Sequence, residues 1–285
     1  MDPTTALLEH DWLGACRRSA QGFERILTEH PTQADRVAET GTRGAGGDRT
    51  LTIDALAEDV VLAELAVLHD AGARFTVVTE ERGIVDFGDP DVLVVVDPID
   101  GSLNAKRGLL HYAVSIAVAT GPRMADVVFG FVHDAGQDEE WRAVRGQGAW
   151  LNNARLDPEV MQERLTSAGL LEIVAVEAAA PMRLAASSAG LLATAHRVRA
   201  LGTIAVALCQ VAAGRADAMV SLGPCRSVDA AAAQLIVHEA GGLVAFCGLD
   251  DPSGPELADL GPGPPIAAAR SRASLERVAT IPVRA

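Results

Sequence analysis

The chain has 285 residues, about half of them apolar, with 24 Lys and Arg against 38 Asp and Glu, for a net charge of −14. That length suits one large domain or two lobes sharing an interface, with enough apolar residues to bury a large core. The charge argues against a nucleic-acid partner and repels phosphorylated ligands too, so phosphate chemistry here would need metal ions or a local cationic patch.

Residues 4–30 read as a helix, and the glycine-rich stretch at 40–48 as a flexible loop. Ile53, Leu56, Val60, Ala63 and Val67 recur at alternating steps of three and four, which predicts an amphipathic helix that Gly72 stops. A strand over 76–79 ends at Glu80-Glu81, and a second over 92–96 runs straight into Asp97. Residues 111–119, 126–133 and 141–145 are spaced as an antiparallel meander, and 146–150 read as a turn. The lobe boundary is placed there, with an N-terminal α+β lobe over 1–147 and a C-terminal α/β lobe over 148–285.

The second half alternates: strand 172–177, helices 183–195 and 202–213, strand 216–221, and helix 229–240 ending at Gly241-Gly242. Strand 243–247, a Pro/Gly-rich loop at 252–265, strand 266–269 and a helix near 271–278 complete it. This mixture predicts a layered α/β or α+β architecture. Cysteines 16, 209, 225 and 247 form no Cys-x-x-Cys pair, which fits reduced thiols in a cytoplasmic protein better than disulfides or zinc. The opening Met1-Asp2-Pro3 lacks a basic n-region, which predicts no signal peptide, and no apolar run reaches the roughly 18 residues that span a bilayer, so no membrane partner is expected.

The informative acids sit at strand ends. Asp97 and Asp100 follow a β-branched and leucine run on a turn stiffened by Pro98 and sharpened by Gly101, so both carboxylates can converge on one point. Ile99 lies between them and can offer its carbonyl. If strands 76–79 and 92–96 are neighbours, Glu80 and Glu81 join them, and acids crowded this closely call for cations with a taste for hard oxygen, Mg2+ or Mn2+. Ser102 can orient a water or cap the helix it opens, whose free backbone N–H groups can hold a phosphate. Asp229, read alone, is a first-turn helix acid favoured by the macrodipole.

Glu80-Glu81, then Asp97-Pro98-Ile99-Asp100-Gly101-Ser102, then Asp229 ahead of Glu239-Ala240-Gly241-Gly242 resemble the inositol monophosphatase family in order and spacing over roughly residues 40–245. The stretches 47–59, 81–86, 199–202 and 226–229 resemble its archaeal-type dual inositol monophosphatase/fructose-1,6-bisphosphatase branch. The resemblance implies a five-layer αβαβα sandwich, a homodimer, and two or three Mg2+ ions, with Mn2+ as a substitute. It implies metal ligation by Glu80, Asp97, the Ile99 carbonyl, Asp100 and Asp229. Asp54 and Ser102, assisted by Glu80, would orient the attacking water; Asp100, Gly101 and Ser102 would border the phosphate; Arg199 would contact the substrate.

The activity so implied is lithium-sensitive hydrolysis of a small polyol or sugar phosphate, inositol monophosphate or fructose 1,6-bisphosphate. Alternatives are a 3′(2′),5′-bisphosphate nucleotidase, a histidinol-phosphate phosphatase, an aspartyl-phosphate enzyme and a non-catalytic paralogue. The aspartyl-phosphate mechanism wants Asp-x-Asp where this chain has Asp-x-x-Asp, and a paralogue would lack a ligand where this chain keeps all of them. Ser221, Leu222, Val228 and the segment 177–182 depart from substrate-pocket residues of relatives. The 40–48 loop is expected either to bring Arg43, Asp48 or Arg49 toward the site or to serve as plain linker.

Overall fold

A computed structural model describes residues 7, 9–37, 39–45, 49–160 and 162–281; for residues 39, 40, 42, 43 and 49–51 it describes the backbone alone. Helix α1 (Trp12–Glu29) starts after Asp11, whose carboxylate accepts the Gly14 N–H at 3.0 Å and so satisfies one orphan donor of the first turn. A short α2 (Gln33–Arg36) leads to an antiparallel hairpin, β1 (Glu39–Arg43) and β2 (Arg49–Leu51). Helix α3 (Thr52–Asp70) follows at once and packs along α1, burying Ile53, Ala57, Val61, Leu65 and Leu68. The helix is where the spacing predicts it, but its buried face is turned: of the five residues that carried the expectation only Ile53 is buried, Leu56 and Val60 are half-buried, and Ala63 and Val67 are exposed.

A seven-stranded sheet comes next. Its strands β3 (Phe75–Thr79), β4 (Gly83–Asp100), β5 (Ala113–Ala119), β6 (Val127–Asp134), β7 (Glu139–Val144), β8 (Gly148–Leu151) and β9 (Ala154–Arg155) lie side by side in chain order. Only α4 (Ser102–Arg107) and a 3-10 turn interrupt them. Strand β4 pairs with β3 twice: Gly83–Phe87 runs back along it, and Leu93–Val96 then lies parallel to Thr76–Thr79. The parallel register sets Thr79 opposite Val96, so Glu80 and Asp97 leave the sheet at the same end.

The second half holds β10 (Leu171–Glu177), α5 (Pro181–Ala186), α6 (Ser188–Thr194), β11 (Ala195–Arg199), α7 (Ile204–Ala212), β12 (Ala218–Ser221), α8 (Ser227–Glu239), β13 (Leu243–Phe246), β14 (Ile266–Ala269) and α9 (Arg272–Ala279). Its five strands order as β11-β10-β12-β14-β13.

Three apolar clusters glue five layers, as expected from the family resemblance. Trp12, Phe23, Ile53 and Leu65 seat α1 and α3 on one face of the large sheet against Phe75, Val94 and Ile116. Helices α7 and α8 fill the space between the two sheets. Leu275 and Val278 of α9 cover the outer face of the small sheet over Val174, Val220 and Ala267. Small residues let α8 approach closely: it presents Ala230–Ala233, and a Cβ built on Gly130 of β6 would lie 2.6 Å from the Ala232 carbonyl oxygen.

Several expected elements are redrawn. Backbone on both sides of the supposed 40–48 loop pairs as β1 and β2. Residues 146–150 are not all turn, because Gly148–Leu151 pairs with β7. The expected boundary at 147/148 therefore falls inside a hairpin, and the change of sheet occurs between Arg155 and Leu171. The alanine-rich segment 183–195 is two short helices, and Ala195–Arg199, which was not expected to be a strand, pairs parallel to β10. Here pairing across the sheet overrides a local helix preference.

Candidate active site

The strand ends and the start of α8 open into one cavity of about 610 Å³. Asp54, Glu80, Asp97, Ile99, Asp100, Gly101, Ser102 and Asp229 all line it, together with Glu81, Lys106, Glu177, Thr203 and Arg226. Thus four parts of the fold supply acids: α3 brings Asp54, the ends of β3 and β4 bring Glu80, Asp97 and Asp100, β10 brings Glu177, and α8 brings Asp229. Arg199 is elsewhere. It is exposed on β11, donates to the Val198 carbonyl, and lines a separate hollow with His111 and Arg215.

Each acid is held. Asp97 Oδ1 accepts the Ile99 N–H at 3.0 Å, which folds the turn back on itself. Asp100 Oδ2 accepts the Thr203 hydroxyl at 2.5 Å and the Ala205 N–H at 2.6 Å. Gly101 has φ +87, and a Cβ there would meet the His111 carbonyl at 2.9 Å, so this turn requires glycine on two counts. Asp229 Oδ2 accepts the Arg226 N–H at 3.0 Å, so the helix-cap role read from sequence is present along with a place in the cavity. Glu80 is steadied from behind: buried Glu58 accepts the Thr79 hydroxyl at 2.7 Å and the Glu81 and Arg82 N–H groups at 3.2 Å.

The electrostatics follow from crowding. Burial, with Glu80, Asp100 and Asp229 as neighbours, pushes Asp97 well above the carboxylate range. Burial chiefly raises Asp100 to about 8, and Glu80 to about 7 despite Arg226. Acids so placed hold protons near neutral pH unless cations replace them. Among the described residues, two side-chain cations share the space: Arg226 Nη1 is 2.7 Å from Glu80 Oε1 and its Nε 3.7 Å from Asp229 Oδ1, while Lys106 Nζ is 3.9 Å from Asp54 Oδ2. An all-oxygen donor set on a buried turn suits a hard divalent cation such as Mg2+ or Mn2+.

Sequence reasoning assigned no site role to Lys106, Glu58, Glu177, Thr203 or Arg226, although Glu177 and Arg226 lie in segments it compared with relatives. Glu177 ends β10 as Glu80 ends β3, so the strand-end signal was available for it. Glu58 and Thr203 carry no such signal, because only contacts between elements define them. The signature residue Glu239 lies outside the cavity, where its two oxygens accept the Gly146 and Gly148 N–H groups at 2.8 Å and clamp the β7–β8 turn. Ala45 of the β1–β2 hairpin donates to the Glu81 carbonyl at 2.9 Å, which brings that hairpin to the cavity edge. Asp48 and the side chains of Arg43 and Arg49 lie outside the described residues. A mixed group of Glu24, His133 and Asp138 lies on α1 and the β6–β7 corner, where His133 Nε2 and Glu24 Oε1 are 2.9 Å apart. It takes no part in the cavity.

Known proteins share this plan. The inositol monophosphatase family model matches residues 11–279. A fructose-1,6-bisphosphatase/inositol-1-monophosphatase of Methanothermobacter thermautotrophicus is 33% identical over 244 residues, 82% of this chain and 83% of that protein. The Nus factor SuhB of Pasteurella multocida is 35% identical over 201 residues, 69% and 71% of the two chains. Among solved structures, a Pyrococcus horikoshii protein described as having similarities to inositol-1 monophosphatase superposes with a TM-score of 0.72 at 25% identity, over 94% of this chain and 98% of that one.

Proposed function

The chain belongs to the inositol monophosphatase family, and from that premise we propose that it is a magnesium-dependent phosphomonoesterase acting on a small polyol or sugar phosphate. The observation that carries this is the meeting of Glu80, Asp97, Asp100 and Asp229, from three separate elements, in one buried cavity. Their carboxylates and the Ile99 carbonyl are the proposed holders of two or three Mg2+ ions, with Mn2+ as a substitute. Bound there, the ions would draw a phosphate into an acidic pocket and lower the pKa of the attacking water.

The chain's own groups do the rest. Asp54 and Ser102 line the cavity together, where they orient that water and the Asp54 carboxylate accepts its proton, with Glu80 assisting. The backbone at Gly101 and Ser102, with Asp100, borders the phosphate. No covalent phosphoenzyme is part of this scheme. Arg199 is proposed as a substrate contact only if a second subunit or a rearrangement brings a cavity to it, since β11 holds it outside this one. A homodimer and a cytoplasmic location belong to the same proposal. No helix of the described residues is long and apolar enough to cross a membrane. The net charge of −14 keeps nucleic acid out of the proposal.

The deciding test is phosphate release from inositol 1-phosphate, fructose 1,6-bisphosphate, adenosine 3′,5′-bisphosphate and histidinol phosphate. We expect turnover of the first or second, its loss on chelation, its return with Mg2+, and inhibition by lithium. No release from any of the four with Mg2+ present would overturn the reading.

Arg226 sets up a second expected result. Its guanidinium neutralises Glu80 and Asp229, the groups proposed to receive metal. Arg226→Gln should destabilise the metal-free protein by about 1–3 kcal/mol, because a partly buried charge loses its partner. The same change should tighten Mg2+ binding about tenfold, since one positive charge leaves the neighbourhood of the incoming cation. Thermal melts without metal and calorimetric Mg2+ titration check the two halves.

A further inference from the structure

We propose that Glu177 is a positioning residue that sets the affinity of the acidic cavity for divalent cations, acting through the loop 201–203 on Asp100 rather than by touching substrate. This rests on the metal-dependent reading above. Glu177 is 2% exposed and ends β10, a strand of the small sheet, while Asp100 ends β4 of the large one. The two sheets meet here through a short chain of contacts.

Glu177 Oε1 accepts the Leu201 N–H at 2.9 Å and Oε2 accepts the Gly202 N–H at 2.8 Å. Both carboxylate oxygens are thus spent on backbone, and the side chain acts as a wall of the cavity. The loop it grips then delivers the Thr203 hydroxyl, and the first turn of α7 that follows it the Ala205 N–H, to one oxygen of Asp100. The Leu201 carbonyl accepts Asn104 Nδ2 at 2.6 Å, so the helix that follows the Asp100 turn is tied to the same loop. With Oδ2 of Asp100 pinned by two donors, the orientation of Oδ1 is fixed as well. A carboxylate held in this way loses less freedom when it takes a cation, and the partners that orient a ligand typically change metal affinity about 10–100-fold when removed.

An amide in place of Glu177 can accept from one of the two N–H groups and must turn its own NH2 toward the other. Glu177→Gln should therefore weaken Mn2+ binding, followed by electron paramagnetic resonance, about tenfold. At saturating metal, the KM of the best phosphate ester in the panel should stay within about twofold. Thr203→Val, which removes the hydroxyl at the other end of the path, should weaken Mn2+ binding similarly, and Thr203→Ser, which keeps it, should not. The Glu177→Gln/Thr203→Val pair should be markedly less than additive, because both changes break one path. Should Glu177→Gln fail to fold, the two Thr203 variants alone decide.

Unchanged Mn2+ affinity in the single variants, additive losses in the pair, or a raised KM with metal binding intact would overturn the proposal; the last result would make Glu177 a substrate contact. A wild-type protein that binds no Mn2+ would instead overturn the metal-dependent reading itself.

Discussion

Asp97→Asn should lower phosphate release about a thousandfold, as should Asp229→Asn, while both proteins stay folded. The size follows from the chemistry proposed for the cavity. A cation site that has lost one charged ligand forfeits several kcal/mol of transition-state stabilisation, and about 4 kcal/mol corresponds to about three powers of ten in rate. The fold survives because the contacts of these side chains suit an amide. The Ile99 N–H needs only an acceptor oxygen at Asp97, as does the Arg226 N–H at Asp229, and the Arg226 guanidinium that loses Asp229 keeps the closer Glu80. Asp97 is also buried among like charges that push it toward its protonated form. Neutralising it relieves repulsion, so the metal-free melting temperature of Asp97→Asn should hold steady or rise. Steady-state phosphate release and thermal melts on the same preparations give both numbers. Activity within tenfold of wild type in either variant would sink the assignment of that residue.

A change outside the cavity lining should damage stability most. Gly130→Ala adds a single methyl group on β6, and that methyl would lie 2.6 Å from the Ala232 carbonyl oxygen, well inside van der Waals contact. Backbone faces backbone at this point, so no rotamer change can relieve the clash. The helix must lift from the sheet, and Ala230–Ala233, buried throughout, must lose packing with it. Overpacking of this kind costs about 2–3 kcal/mol, or roughly 3–5 °C in melting temperature for a chain of this size. Because Asp229 sits in the first turn of that helix, activity should fall with stability. A melting temperature within about 1 °C of wild type would show that the helix shifts freely.

The proposed metal ligands were legible because their signal is local. A buried strand followed by Asp-Pro-x-Asp-Gly can be read from one window of sequence, and so can the acid pair that ends 76–79. Even the meeting of those two ends needed only the assumption that the strands are neighbours, which the Thr79–Val96 register bears out. What was not legible depends on distant partners. Glu58 looks like any acid on an amphipathic helix until β3 and its turn arrive to use it. Thr203 looks like a helix cap, which it is, but its hydroxyl also reaches Asp100. Strand β11 reads Ala-His-Arg-Val-Arg after an alanine-rich stretch, and only the free edge of β10 makes it a strand. Arg199 was drawn to the site by resemblance, and its place on that strand puts it in another hollow.

The central position of α7 and α8 has a consequence for how the molecule is made. The seven strands of the large sheet are all present once Arg155 has been synthesised, and α1 and α3 can already shelter one of its faces. The other face is apolar too, and its cover ends only at Glu239. A nascent chain leaving the ribosome therefore carries a complete but half-dressed sheet for the time needed to add roughly eighty further residues, about 4–17 s at synthesis rates of about 5–20 residues per second. That interval makes the first half a natural client for chaperones. It also means that the acids of the two halves meet only after most of the chain has emerged.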